Sequence, residues 1–396
     1  MLEAMRATKN YSTALLVAGL VGLSLAEGLT HFAQAYADSR DYIEDALFFL
    51  GRYPNLTAVP RLRLLLRPLV PFLASLVGLV VKPRIAFGLV NVVFWCASVV
   101  LMFYFTRLLT KSTSAAVISS VFLTSAIPLL ILGAAIYTDM AGYFFILLGA
   151  FLIVKWDLPR ANLKRVVLAG VVVQAGMLAR ESVACVLLFA IVWCLLSRGS
   201  FRRILLFVAI VVGLSVLWST LVGFSYFQWY MLAGVSASPY PKMGFLGGVD
   251  ALLRSIVYAF GEIPIVLLLS FLGFLRIHDS RKLNIYVSFL IAATLVIVTF
   301  PVPGTRYSFI LFPAILPLAG VGVDETYSII LQSPLISTIW GSFKTPSKAL
   351  LIFQLLIMVA YVAITNLLTI RYVSFPWNPL IDPSLPPGYI QFLRNY

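Results

Sequence analysis

Acidic side chains are scarce in this sequence: 15 Asp and Glu stand against 29 Lys and Arg in 396 residues. Only 11% of the chain is charged, where a soluble domain carries roughly 25%. That polar inventory is too small to clothe a water-soluble fold of this size. Histidine is nearly absent. His31 and His278 lie far apart beside different apolar runs, so a His-based metal centre has no support. The three cysteines, Cys96, Cys185 and Cys194, fall inside apolar runs without pairing or metal spacing, and read as small packing residues. Alternating strands of the membrane-barrel type are missing too. The net charge of +14 makes no nucleic-acid patch, because the Lys and Arg sit in short loops between apolar runs.

Hydrocarbon dominates instead, at 61% hydrophobic residues and a mean hydropathy of +1.00. Uncharged runs of helix-spanning length recur from end to end, which predicts an all-α, polytopic membrane protein. They lie near 11–30, 85–106, 113–134, 137–154, 165–180, 182–197, 204–222, 254–275, 283–301, 306–323 and 349–370, about eleven transmembrane helices with the first retained as a span. The run from Pro68 to Val81 is short, holds two prolines and lies between Arg67 and Lys82. Runs of about 10–14 residues are more often interfacial or re-entrant than spanning. Loop charges favour the same reading: if it does not cross, one face after residue 84 carries fourteen Lys and Arg against six on the other. The positive-inside rule makes the richer face cytoplasmic. The expected topology has the N-terminus in the cytoplasm and the C-terminus outside. Both 155–165 and 198–203 are basic, so 166–197 is expected to turn back at Arg180-Glu181. Residues 1–323 are read as one transmembrane module, with 31–84 as its first extracytoplasmic loop. Residues 324–396 are read as a cytoplasmic loop, the last transmembrane helix and an extracytoplasmic tail.

This topology gathers the ionisable groups on the outer face. Asp38, Asp41, Glu44 and Asp45 fall within eight positions of the first loop, followed by Asp139 in "IYTDM", Glu181 in "LARES" and Arg306 in "PGTRYSF". On a helix, Asp38, Asp41 and Asp45 share one face at i, i+3 and i+7. Asp41 and Asp45 repel at i, i+4, which calls for compensation by Arg40, Arg52 or Arg61, a metal ion or a proton. Simpler roles exist as well. Asp38 suits a helix N-cap and Asp41 a first-turn acid. Thr138-Asp139 suits the start of a span, Arg180 with Glu181 an ion pair at a turn, and Arg306 a snorkelling anchor.

The ordered set of motifs resembles the integral-membrane glycosyltransferases of the C superfamily, which have the GT-C fold. The resemblance rests on "RDYIEDALFFLGRYP" and "RLLLRPLVPFLASLVG" in the first loop, then "NVVFW", "YTDM", "LARES" and "TRYSFILFPAILPLAG", over roughly residues 11–323. The adjacent Asp-Glu pair of the O-mannosyltransferases in that superfamily is absent, since Tyr42 follows Asp41, which leaves the acceptor open. The resemblance implies a polyprenyl-phosphate sugar as donor, a glycan, lipid or protein as acceptor, and transfer on the extracytoplasmic side of the bilayer. Asp41 is then the expected general base, ahead of Asp38 and Asp45. Arg180 and Arg306, with Arg67 behind them, are the expected clamp on the donor phosphate. Asp139, Glu181 and Tyr307 are expected to orient the sugar or hold the arginines. A divalent cation, Mg or Mn, is an option on Asp41 and Asp139. The alternative function is a secondary transporter or flippase for an amphipathic solute, in which Asp139, Arg180, Glu181 and Glu262 line the path.

Overall fold

The computed structural model describes residues 2–36, 38–52, 66–223, 240–299, 305–332, 346–374 and 380–395. Helix α1 (Leu2–Thr30) leads into an irregular segment and then α2 (Ser39–Phe49). Next comes α3 (Leu69–Val77). Its nine residues reach only about 13 Å, short of the roughly 30 Å hydrocarbon core of a bilayer. Helix α4 (Pro83–Thr110) starts on a proline, whose missing N–H costs nothing at a helix start. It measures about 42 Å, ample for a span.

The expected span 113–134 is two helices, α5 (Thr113–Thr124) and α6 (Ile127–Leu132). The Ser112 side chain caps the first by accepting from the Ala115 N–H at 3.1 Å, and Pro128 restarts the chain in the second. Helix α7 (Asp139–Lys155) is followed by α8 (Leu163–Met177), capped by Asn162. A 3-10 turn (Glu181–Ala184) leads into α9 (Cys185–Ser197), and α10 (Phe201–Val222) completes this half.

The second half holds α11 (Tyr240–Phe260), α12 (Ile265–Leu275), α13 (Ser280–Thr299), a 3-10 segment (Thr305–Leu311), α14 (Phe312–Gln332), α15 (Pro346–Thr369) and α16 (Pro387–Asn395). The run 254–275, expected as one span, is broken between α11 and α12 with a bend of 102°. Pro264 explains the break: it lacks an N–H and drives the preceding residue away from helical geometry. Among the described residues, six helices are long and apolar enough to cross a membrane, or seven if the bent pair is one span. The protein is an integral, multi-pass membrane protein.

Helix α14 is the central span. It packs on α12 through glycines: a Cβ built on Gly322 would fall 1.8 Å from the Leu269 carbonyl oxygen, and one on Gly273 2.0 Å from that of Leu318. Small residues that let backbones touch are what drives helix association where lipid removes the hydrophobic incentive.

Contacts between loops define two faces. Gly199 lies against Pro159 so closely that an added Cβ would sit 2.4 Å from its Cβ, and Arg281 pairs with Asp157 at 3.3 Å. The basic segments around 155–165, 198–203 and 276–282 therefore share one face, and the chain between α8 and α9 turns back as predicted. On the opposite face the segment after α1 is laced to the end of α6 by Ala33 N–H to Ala134 O and Ile136 N–H to Gln34 O, each 3.0 Å. The start of α3 joins the same face, with Leu69 N–H donating to Leu178 O at 3.2 Å.

Candidate active site

The expected residues converge on this second face. Arg180 sits between the end of α8 and the 3-10 turn, with extended backbone (φ −161°, ψ 134°). Successive side chains of extended chain point to opposite sides. Arg180 and Glu181 accordingly make their direct ion pairs with other residues, which corrects the expected internal pair, although the Arg180 charge still acts on Glu181. The Arg180 guanidinium donates through Nη1 to Asp139 Oδ2 at 2.9 Å and to Thr138 Oγ1 at 3.2 Å. Glu181 instead accepts two bonds from Arg67, Nε to Oε2 at 2.7 Å and Nη2 to Oε1 at 2.6 Å. Such a two-pronged contact fixes the plane of the guanidinium as well as its position. Arg67 also donates to the Tyr42 hydroxyl at 2.9 Å. Four charges from three separated segments are thus linked, and the chain leads from α2 through Tyr42 and Arg67 to Glu181 and its neighbour Arg180.

Burial makes these pairs consequential. The side chains of Arg180 and Asp139 are 3% and 2% exposed. Gly142, one turn into α7, creates the space: a Cβ there would fall 2.6 Å from the Cβ of Arg180. Thr138 stands at the N-cap of α7 but makes no capping bond, because its hydroxyl serves Arg180. Asn91 of "NVVFW" secures the irregular approach to Asp139 by donating to Ala135 O at 2.6 Å and Tyr137 O at 3.0 Å.

Helix α2 presents its acids unequally. Asp38 occupies the N-cap position without a capping bond from its side chain, which corrects the simplest role for it. Asp38 and Asp41 are partly exposed, whereas Asp45 is buried together with Tyr42, Ile43, Ala46 and Leu47. Arg40 pairs with Glu44 at 2.6 Å. Tyr42 also packs edge-on to Tyr137 at 6.1 Å, and Tyr137 stacks on Tyr36 at 5.8 Å. Burial pushes the Tyr36 phenol well above its ordinary range.

Arg61, Arg306 and Tyr307, named from the sequence, lie outside the residues whose side chains are described. As to a divalent cation, no group of three or more potential ligands gathers among the described residues, and Asp139 already holds Arg180. The described residues alone do not complete a cation site. Two participants escaped the sequence reading. In the sequence Tyr42 shows only as the residue that follows Asp41. The tail after α15 binds the first loop directly, with Ala35 N–H donating to Leu380 O at 2.9 Å, Asp382 N–H to Ala35 O at 3.0 Å and Ser374 Oγ to Phe32 O at 2.6 Å.

No family model and no curated protein sequence matches this chain. Solved structures do. The oligosaccharyltransferase of Archaeoglobus fulgidus in its apo form superposes with a TM-score of 0.60 at 12% identity, over 96% of this chain and 60% of that one. The same enzyme, AglB, in complex with an inhibitory peptide and a dolichol-phosphate gives 0.59 at 12%, over 98% and 60%. ArnT from Cupriavidus metallidurans bound to undecaprenyl phosphate gives 0.57 at 16%, over 91% and 72%. The chain spans about 60% of the length of the archaeal enzyme. Identities this low speak for architecture alone: the chain shares the fold of these solved structures, the GT-C fold expected from its motifs.

Proposed function

We propose that this protein is a glycosyltransferase that takes a sugar from a polyprenyl-phosphate donor and passes it to a glycan, lipid or protein hydroxyl on the extracytoplasmic side, with residues 1–323 carrying the chemistry. The observation that supports it best is the buried charge chain of Asp139, Arg180, Glu181 and Arg67 lying beside the acid-bearing α2 in a GT-C fold. Ionisable groups at membrane depth are expensive and tend to line functional cavities.

The acceptor oxygen attacks the anomeric carbon of the donor sugar. Its proton passes to the Asp41 carboxylate, placed by α2 at a partly exposed position, as a general base. The bond between the anomeric carbon and the phosphate oxygen breaks, and the lipid phosphate leaves with the electron pair. Arg180 and Arg306 stabilise the charge that grows on that oxygen, with Arg67 behind them. Asp139 and Glu181 hold Arg180 and Arg67 in a fixed orientation, so the clamp needs no rearrangement as the bond breaks. Asp38 is the second candidate for the base. Asp45, which burial removes from the solvent-facing side of α2, ranks third. A divalent cation, if one binds, would supply further charge stabilisation at the phosphate.

The test is sugar transfer in proteoliposomes with radiolabelled polyprenyl-phosphate hexoses and pentoses. Asp41→Asn is expected to abolish transfer while inserting normally. Full activity in that variant removes Asp41 from the mechanism. A second reading, a transporter, is favoured by the broken α11–α12 pair with Glu262 at its break, because such helices build midplane sites. Solute uptake by the same proteoliposomes without any transfer selects it.

A further inference from the structure

The first turn of α2 carries Asp41, and backbone N–H groups in a helix's first turn lack partners within the helix. Asp38 at the N-cap makes no capping bond. The acceptor for the Arg40 N–H comes from the far end of the sequence: it is the hydroxyl of Tyr389 on α16, at 3.1 Å. The Arg40 guanidinium lies over the rings of Tyr389 and Phe392, at 5.6 and 4.9 Å from their centres. The same helix is anchored from behind, where the Arg84 Nη1 donates to Leu393 O at 3.1 Å and the Leu393 side chain is fully buried. Upstream, Ser374 and Ile381 form parallel bridges with the first loop, the former with His31 and the latter with Ala35. Burial, with Asp41 and Asp38 close by, pushes the Tyr389 phenol up to about 12, so its hydroxyl keeps its proton throughout the physiological range.

We infer that α16 is a working part of the site, in which Tyr389 and Phe392 are positioning residues that cap α2 from outside and set the placement of Asp41. The inference deepens the proposed transferase reading and rests on it for the role of Asp41. Neither residue touches the reacting atoms. Both act on the carboxylate through the helix that bears it.

The test uses the full chain in lipid nanodiscs and three variants: Tyr389→Phe, Phe392→Leu and, as a surface control, the exposed Asn395→Ala. Hydrogen exchange reads the first turn of α2 without any assay of activity. Tyr389→Phe removes one acceptor and no packing, and is expected to speed exchange of the Arg40 amide by about tenfold, with the end of α2 unchanged. Binding of undecaprenyl phosphate alone is expected to stay within about twofold of the parent, because the phosphate clamp is not touched. Where a labelled polyprenyl-phosphate sugar is turned over, kcat is expected to fall about tenfold or more with donor KM nearly constant, as for a misplaced catalytic group. Unchanged exchange and kcat in both tail variants overturn the inference. So does a loss of lipid-phosphate binding in step with kcat, which is the mark of general disruption. Asp41→Asn keeps the two levels apart. If that variant stays active while the Arg40 amide still responds to Tyr389→Phe, the base assignment fails and the tail contact stands. If it is inactive and the tail variants behave like the parent, the base stands and the tail contributes nothing.

Discussion

Replacing Arg67 by Met offers the sharpest probe of the charge chain. The substitution keeps the unbranched stem and deletes the guanidinium, with its two bonds to Glu181 and one to Tyr42. Glu181 then stays behind as a carboxylate whose side chain is 10% exposed. Removing one member of a buried pair costs about 3–5 kcal/mol, chiefly because the remaining charge is uncompensated. The small residual exposure places this site at the lower end, about 3 kcal/mol. Glu181→Met removes both of these bonds from Arg67 and should cost about as much, softened by the contacts Arg67 keeps, that with Tyr42 among them. The double variant removes both charges and should recover about 2 kcal/mol relative to the sum of the singles, since neither partner is left stranded. Equilibrium unfolding by SDS titration in mixed micelles gives all four free energies. Additive singles, with a coupling below about 0.5 kcal/mol, would refute the claim that this pair is buried and interdependent. A parallel cycle on Asp139 and Arg180, which are more deeply buried, should give a coupling at least as large.

Gly142→Ala should raise helix propensity by about 1 kcal/mol yet lower transfer by about tenfold or more, because the new methyl displaces Arg180; transfer kinetics and thermal stability of one preparation separate the effects. Gly322→Ala should sharply reduce the yield of folded protein in gel filtration, since the methyl would meet the Leu269 carbonyl at 1.8 Å. His31 is buried, and burial lowers its affinity for protons against the weaker opposing effects of Asn366 and the Tyr372 carbonyl. As pH falls below the unfolded value near 6.5, the unfolded chain gains a proton that the folded chain resists. Stability should therefore drop as pH falls through and below that value. His31→Gln should flatten that slope in thermal melts, and an unchanged slope assigns it to other groups.

The sequence made the membrane class plain because apolar length is a one-dimensional property. The brevity of the Pro68–Val81 run was equally readable, and its helix is correspondingly short. The break at 261–264 was readable in Pro264, but a hydropathy window averages over a single imino acid. The pairing of charges was not legible. Arg180 and Glu181 are neighbours, which suggests a pair, yet extended backbone at Arg180 sends them to different partners. Arg67 and Glu181 are separated by 114 positions, and nothing in either one's surroundings announces the other. The acids of α2 were found by their density, but spacing alone made Asp38, Asp41 and Asp45 equivalent. Only the packing beneath α2 separates the buried Asp45 from the other two. Tyr389 gave no signal, because a helix cap donated from a distant segment leaves no local pattern.

The lacing of the first loop to Ser374, Leu380 and Asp382 has a consequence for biosynthesis. Thr30 and Ala35 leave the ribosome well before the groups they bond in the finished protein: the Ser374 and Asp382 N–H donors and the Leu380 carbonyl emerge roughly 340 residues later. At about 5–20 residues per second that delay is roughly 20–70 seconds. During that interval the opening helix and its acidic neighbour are already inserted but unfinished, and any quality-control factor that senses exposed polar backbone has its longest chance to engage them.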